Sequence, residues 1–447
     1  MRINLPDPQR FANILQAITG YELKILPTGV TTDSRECRPG DLFIAITGDQ
    51  TDGHNYLMQV ERAGSSAALV SEVNSALPNY PQIVVDDPVH LLGVIANRWR
   101  ASFQRPVIAI TGTNGKTTTK DLLVHILSFS RKVHATSGNY NTSIGLPLTL
   151  LTLTTKDEIS ILEMGANQPG DIALLANLAH PTHGLITNVA PAHLAGFGSV
   201  EEVARTKGEL FQALTEGTAF VNRDDSLVAR IAIPGDKITF GFQPDCDFSA
   251  ALQHAEDGAV LLSINNNVLI TGSRNHTFAK NVLAATAIAI SLGETWETVQ
   301  NQLNTFKPPP GRCIVAKFGE ITVIDDTYNA NLVSVSAALD YLHDFNTTGR
   351  HILVFGDMFE LGEESQSLHA QVGKKASTTG LDAVFTVGQD SYYTASALSG
   401  INYHQHFNTK SDLTTSLQEF LKPGDIVLFK GSRGMAMETI IAELRGF

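Results

Sequence analysis

The chain has 447 residues, 43% of them hydrophobic and 17% charged, with a formal net charge of −13. A chain of this size fits about three domains of ~150 residues, each able to bury its own core. The acidic balance argues against a general nucleic-acid or membrane-surface binder, since both need broad basic faces, but leaves room for anionic small molecules held by local Lys, Arg and helix N-termini.

Cys37, Cys246 and Cys313 are odd in number and far apart, with neither metal-ligand spacing nor a disulfide framework, so a cytoplasmic location is expected. Met1 to Gln9 carries prolines and Asp7 instead of a basic then apolar leader. No run reaches the ~18 apolar residues of a membrane span.

In chain order, residues 1–84 read as short strands between turn clusters, such as Arg38-Pro39-Gly40-Asp41 before Leu42 to Ile46. Asp86-Asp87-Pro88 breaks this pattern, and a helix is expected from Val89 to Phe103. From there strands and helices alternate: Val107 to Ile110, Ile159 to Leu162 and Gly184 to Thr187 are strands, and Val200 to Leu214 is a helix. Lys307-Pro308-Pro309-Pro310-Gly311 is a stiff linker. Beyond it Ile321 to Ile324, Ile352 to Phe355, Ala383 to Val387 and Ile426 to Phe429 form a second strand–helix series. The expected fold is α/β with three domains: a small N-terminal unit over 1–84, a central mostly parallel sheet over 85–312, and a Rossmann-like unit over 313–447.

The most informative segment is Gly112-Thr113-Asn114-Gly115-Lys116-Thr117-Thr118, which follows an apolar strand and precedes a helix with Leu122, Leu123, Ile126 and Leu127 on one face. Backbone N–H groups in such a turn face an anion, and the helix dipole adds positive potential. Lys116 supplies a cation for phosphate oxygens, and the Thr117 hydroxyl suits Mg²⁺. Only Thr113 and Asn114 separate Gly112 from Gly115, so this is a compact phosphate loop. It predicts ATP binding. In an open parallel sheet, ligands gather beyond the carboxyl ends of the strands. Glu163 and the run Asn188 to His193 follow two such strands, so Thr117, Glu163 and His193 converge on one rim. That sparse donor set suits a nucleotide-bound Mg²⁺, which keeps several waters.

The phosphate loop, Leu162-Glu163-Met164-Gly165-Ala166-Asn167 and Ala190-Pro191-Ala192-His193-Leu194 together resemble the Mur ligases of peptidoglycan synthesis, over nearly the whole chain. The resemblance implies two Mg²⁺ ions, one on ATP held by Thr117 and one held by Glu163 and His193. It also matches Lys207 to the lysine this family carbamylates with CO₂, making a third ligand and, with Lys116 and His193, a catalytic group. Thr32-Asp33-Ser34-Arg35 resembles the uridine-nucleotide-binding part, which assigns Ser34 and Arg35 to substrate. Asn141 and Thr142 resemble a loop touching the substrate's sugar-peptide portion.

At the linker, Arg312 matches a family arginine near the nucleotide phosphates, a role suited to a planar guanidinium. Asp325-Asp326-Thr327-Tyr328-Asn329-Ala330-Asn331 resembles a stretch diagnostic of the members that add D-Ala-D-Ala; there Asp326 meets the nucleotide, and Tyr328, Asn329 and Asn331 lie near the dipeptide. Leu332 stands where the family usually has proline, and His276 with Asn281 matches only loosely a pattern beside the adenine, which makes Asn281 the adenine-side candidate. In the last segment Ser432 and Arg433 lie in a glycine-rich turn expected to open a helix from Met435 to Leu444 and to hold the dipeptide's carboxylate.

The implied reaction is ATP-dependent amide formation between UDP-MurNAc-tripeptide and D-Ala-D-Ala through an acyl phosphate. The alternatives are another Mur-type or folylpolyglutamate-type ligase, which would lack the Asp326-to-Asn331 stretch, and a nucleotide-dependent regulator. A monomer without nucleic-acid or membrane partners is expected.

Overall fold

The computed structural model describes residues 1–48, 51–256, 258–345, 347 and 349–444. They build three sheets, one after another along the chain.

The first sheet has five strands in chain order: Arg2–Asn4, Gly29–Thr31, Asp41–Ile44, Ala67–Val70 and Gln82–Val84. The first pair is antiparallel and the others are parallel. The helix Pro88–Arg100 follows, with Asp87 accepting from the N–H groups of Val89 and His90 and proline at its first position. Its Leu92, Ile95 and Trp99 are buried in a core shared by the first sheet and the central one, so the two units pack as neighbours.

Nine strands form the central sheet. Val107–Thr111 lies inside it, flanked by Ile159–Glu163 on one side and His183–Ile186 on the other, all parallel. The chain leaves this strand toward one side and later returns to the other, which makes its carboxyl end a topological switch point where ligands bind. One margin of the sheet departs from the expected parallel pattern. Phe248–His254, Val260–Ile264 and Asn267–Ile270 make an antiparallel meander. Asn265 and Asn266, with φ of 45° and 69°, form its tight turn, because asparagine tolerates the left-handed region that a two-residue hairpin requires.

The third sheet has six strands, with Ile314–Phe318 antiparallel to Ile321–Asp326 at one margin and parallel pairing through the rest. Asp326 lies directly opposite Lys430 at the carboxyl ends of neighbouring strands. The helix Leu332–His343 then starts with a capping box between Asn331 and Ser334. Leu332 occupies the first helical position, where proline is favoured. Asn331 is extended, with φ of −144° and ψ of 164°, as a residue before proline must be. Leu332→Pro should therefore raise stability by about 0.4–1 kcal/mol by restricting the unfolded chain. A chemical-denaturation midpoint below wild type would contradict this.

The expected helix from Met435 is corrected. Arg433–Met435 is a single 3₁₀ turn, Ala436 is left-handed with φ of 48°, and the α-helix is Glu438–Leu444. Lys410 Nζ donates to the carbonyls of Met435 and Ala436, which holds this break. Among the described residues, no helix is long and apolar enough to cross a membrane.

Candidate active site

A cleft of about 1850 Å³ opens at the carboxyl ends of the central strands and extends under the third sheet. All the site candidates from Gly112 onward line it. Ser34 and Arg35 do not: Arg35 pairs with Asp33 at 2.6 Å, and Ser34 Oγ donates to Gln59 Oε1 at 3.3 Å on the first sheet.

The phosphate loop is held in shape from below. Gly112 has φ of +144°, and a Cβ there would lie 1.9 Å from Thr187 Oγ1; at Gly115, φ is +82° and a Cβ would lie 2.5 Å from Asn281 Oδ1. Only glycine meets both demands. Asn188 clamps the loop between them, accepting from Asn114 N at 3.0 Å and donating to Asn114 O at 2.9 Å. Thr187 Oγ1 donates to the same carbonyl at 2.7 Å. Asn281, on the buried helix His276–Ser291, thus packs against the loop.

Lys116 Nζ donates to the carbonyls of Gly112 and Thr113 at 2.6 and 3.2 Å. Burial lowers its pKa, Glu163 raises it and Arg312 lowers it further, which places these three charges in mutual range. Arg312 reaches across from the linker: its guanidinium donates to Thr117 Oγ1 at 2.9 Å and lies 4.1 Å above the Tyr328 ring. Asn331 pairs amide to amide with Asn114, donating to its Oδ1 at 2.8 Å. The diagnostic stretch is thereby seated on the phosphate loop.

Glu163, 2% exposed, ends its strand with Oε1 accepting from Asn141 Nδ2 at 2.7 Å. Its Oε2 is buried without a hydrogen-bond partner. An orphaned carboxylate oxygen in a buried site is costly unless a cation satisfies it. Lys207, on helix Val200–Gln212, is 4% exposed and has no hydrogen bond or ion pair among the described residues. Burial first, and then the Lys116 charge, brings its pKa down to about 7. A partnerless buried amine and a partnerless buried carboxylate oxygen line the same cleft, a donor set that fits metal binding once the amine becomes an anion. His193 is left-handed, with φ of 51°, and its Nδ1 is hydrogen-bonded to Glu360 of the third unit.

Asp326 forms a close ion pair with Lys430, and its Oδ1 accepts from Cys313 N at 3.2 Å. Lys430, 2% exposed, also donates to the carbonyl of Asn329 at 3.0 Å. Ser432 is buried, its Oγ accepting from Phe359 N at 2.8 Å, while Arg433 is held by Glu438 at 2.6 Å. The residues that sequence reasoning passed over are Asn188, Glu360 and Lys430. Lys430 had a usable signal, a lysine ending an apolar strand opposite Asp326, but its partner follows only from strand register.

Three family models match the chain: the Mur ligase family catalytic domain over residues 27–100, the Mur ligase middle domain over 110–289, and the Mur ligase glutamate ligase domain over 311–433. The UDP-N-acetylmuramoyl-tripeptide–D-alanyl-D-alanine ligase of Escherichia coli (strain K12) is 36% identical over 429 residues, covering 93% of each chain. The chain belongs to the Mur ligase family. Among solved structures, MurF from Acinetobacter baumannii superposes with a TM-score of 0.89 at 29% identity over 100% of both chains. MurF from Thermotoga maritima in complex with ADP gives a TM-score of 0.82 at 29% identity, covering 93% of this chain and 97% of that one. As a Mur ligase, the protein is an ATP-dependent amide ligase of three α/β domains.

Proposed function

We propose that the protein joins the amine of D-Ala-D-Ala to the terminal carboxylate of UDP-MurNAc-tripeptide, using ATP and giving the pentapeptide precursor of peptidoglycan. The observation that carries this reading is the seating of the Asp325-to-Asn331 stretch on the phosphate loop, through Arg312 on Thr117 and Asn331 on Asn114. That arrangement places dipeptide candidates beside nucleotide candidates, and the E. coli relative bears the name of this activity.

In the first step a carboxylate oxygen forms a bond to the γ-phosphorus while the bond to the β-phosphate oxygen breaks, releasing ADP and leaving an acyl phosphate. The dipeptide amine then attacks the acyl carbon, phosphate leaves, and the amine gives up a proton. The first step brings two anions together, so its barrier is electrostatic. Lys116 and Arg312 are fixed cations in the cleft and oppose that repulsion as charge develops. Mg²⁺, held by Thr117 on ATP and at a second position by Glu163, His193 and a carbamylated Lys207, would neutralise phosphate and carboxylate oxygens.

Lys207 suits that modification because its amine is buried and partnerless, and a pKa brought down to about 7 gives it a sizeable neutral fraction at pH 7. The neutral nitrogen attacks CO₂ and loses one proton, leaving an anionic carbamate. Asn281 stands on the nucleotide side, packed on Gly115. Asn141 and Thr142 are assigned to the tripeptide, and Tyr328, Asn329, Asn331, Ser432 and Arg433 to the dipeptide; all of them line the cleft. Ser34 and Arg35 mark the first unit's uridine-nucleotide surface. The protein acts as a soluble cytoplasmic monomer.

A coupled assay tests the reading. Phosphate release should require both UDP-MurNAc-tripeptide and D-Ala-D-Ala. Equal turnover with a single amino acid would point to a different ligase, and ATP hydrolysis without any acceptor to a nucleotide-dependent switch.

A further inference from the structure

Away from the phosphate loop, one of the contacts between the central and third units brings in Glu360, a residue the mechanism does not yet use. His193 Nδ1 and the Glu360 carboxylate are in close contact, although 167 positions separate them in the chain. Both residues have left-handed backbones, with φ of 51° and 63°. Such conformations are uncommon outside glycine and persist where the surroundings hold them. Here Ala195 N donates to Glu360 O at 3.3 Å, and Gly362 packs beside Ala195. Two turns, one from each unit, are therefore locked backbone to backbone around one side-chain pair.

The chemistry of the pair is directional. A carboxylate only accepts, so the hydrogen bond places a proton on Nδ1; the neutral tautomer that fits this bond is the one that carries a lone pair on Nε2. Among the described residues Nε2 has no hydrogen-bond partner. Metal-bound histidines commonly present one nitrogen to the ion while a carboxylate orients the other.

We propose that Glu360 is a positioning residue for the second metal: it sets the tautomer and direction of His193, so that this site is complete only when the third unit has closed onto the central one. The proposal rests on the two-metal reading above. It makes ion binding and domain closure a single event, since the ligand's orientation comes from the other side of the cleft. Glu360 has a side chain 59% exposed, so its replacement leaves the core untouched.

The test is a Mn²⁺ titration of the full chain with a non-hydrolysable ATP analogue, read by electron paramagnetic resonance, with small-angle scattering on the same samples. Wild type should bind two Mn²⁺ ions, and His193→Ala should lose the weaker one. Glu360→Ala should weaken that ion by about 10–100-fold and leave the tighter one unchanged. Glu360→Gln keeps an acceptor for Nδ1–H and should stay within a few-fold of wild type. Unchanged Mn²⁺ affinity in Glu360→Ala overturns the proposal, and a loss of compactness alongside it would make the pair a closure latch only. Loss in Glu360→Gln as large as in Glu360→Ala overturns orientation by hydrogen bonding. A single Mn²⁺ ion in wild type, unaltered by His193→Ala, overturns the two-metal reading and this proposal with it.

Discussion

Lys207→Ala should lower kcat by about 10²–10³-fold, the loss of several kcal/mol that a charge-neutralising ion contributes to a phosphoryl transition state. The expectation comes from three features of this cleft. The amine has no partner among the described residues, burial and Lys116 bring its pKa to about 7, and Glu163 Oε2 is orphaned in the same cleft. As an ammonium, Lys207 adds to positive charge already supplied by Lys116. As a carbamate it becomes an oxygen donor of the sign the metal site lacks. A small carboxylate such as acetate or formate should enter the truncated site and restore part of the rate, with little change in the KM for ATP. Full activity in Lys207→Ala, or no rescue across a series of small acids, would rule out the carbamate role. Mass spectrometry of the wild-type protein under CO₂ and after its removal offers a second check, through a labile mass gain at this lysine.

Gly112→Ala should be the most damaging single-methyl change in the phosphate loop. Its φ of +144° is a backbone region that side chains avoid, and the added Cβ would overlap Thr187 Oγ1 at 1.9 Å. Strain and crowding each cost about 1–3 kcal/mol. Relief by moving Thr187 would break its bond to the Asn114 carbonyl and loosen the loop that faces the phosphates. Turnover should fall by at least ~10²-fold, as small misplacements of reacting groups do, together with a lower melting temperature. Gly170→Ala separates the two causes: Gly170 has φ of +86° with open space around it, and it should cost only the left-handed backbone penalty of ~1–2 kcal/mol. Equal effects at the two positions would show that crowding against Thr187 contributes nothing.

Local chemistry made a large part of this protein legible. The phosphate loop could be read because its whole logic fits within seven consecutive residues, with strand and helix periodicity on either side. Four of the six strands of the third unit were legible for the same reason, as apolar runs bounded by turns; Ile314–Phe318 and Tyr403–Phe407, half exposed at the two margins of the sheet, were not. The antiparallel meander was not, although Asn265-Asn266 carried a hairpin signal; its first strand, Phe248–His254, is partly to fully exposed over most of its length, and the two that follow have only five and four residues. The late start of the final helix depends on Lys410 holding two carbonyls from another helix, which no local pattern at 433–438 contains.

The site divides along the same line. Residue types and their order pointed to a candidate phosphate-binding loop, a carboxylate at one strand end and a histidine beyond another, and family resemblance proposed roles for Lys207, Arg312 and Asp326. What only the tertiary structure decided is which of these groups meet. Lys207 reads by residue type as a solvated helix lysine, yet it lies between Val203 and Leu210 on the buried face of its helix and is 4% exposed. Asn114 and Asn331 are 217 positions apart, and Lys430 finds Asp326 through strand register. Contacts of this kind depend on how three sheets pack against one another, a global property of burial and shape that short-range periodicity does not encode. The amino-acid sequence by itself determined the chemistry available to this protein; the packing of its domains determined where that chemistry is brought together.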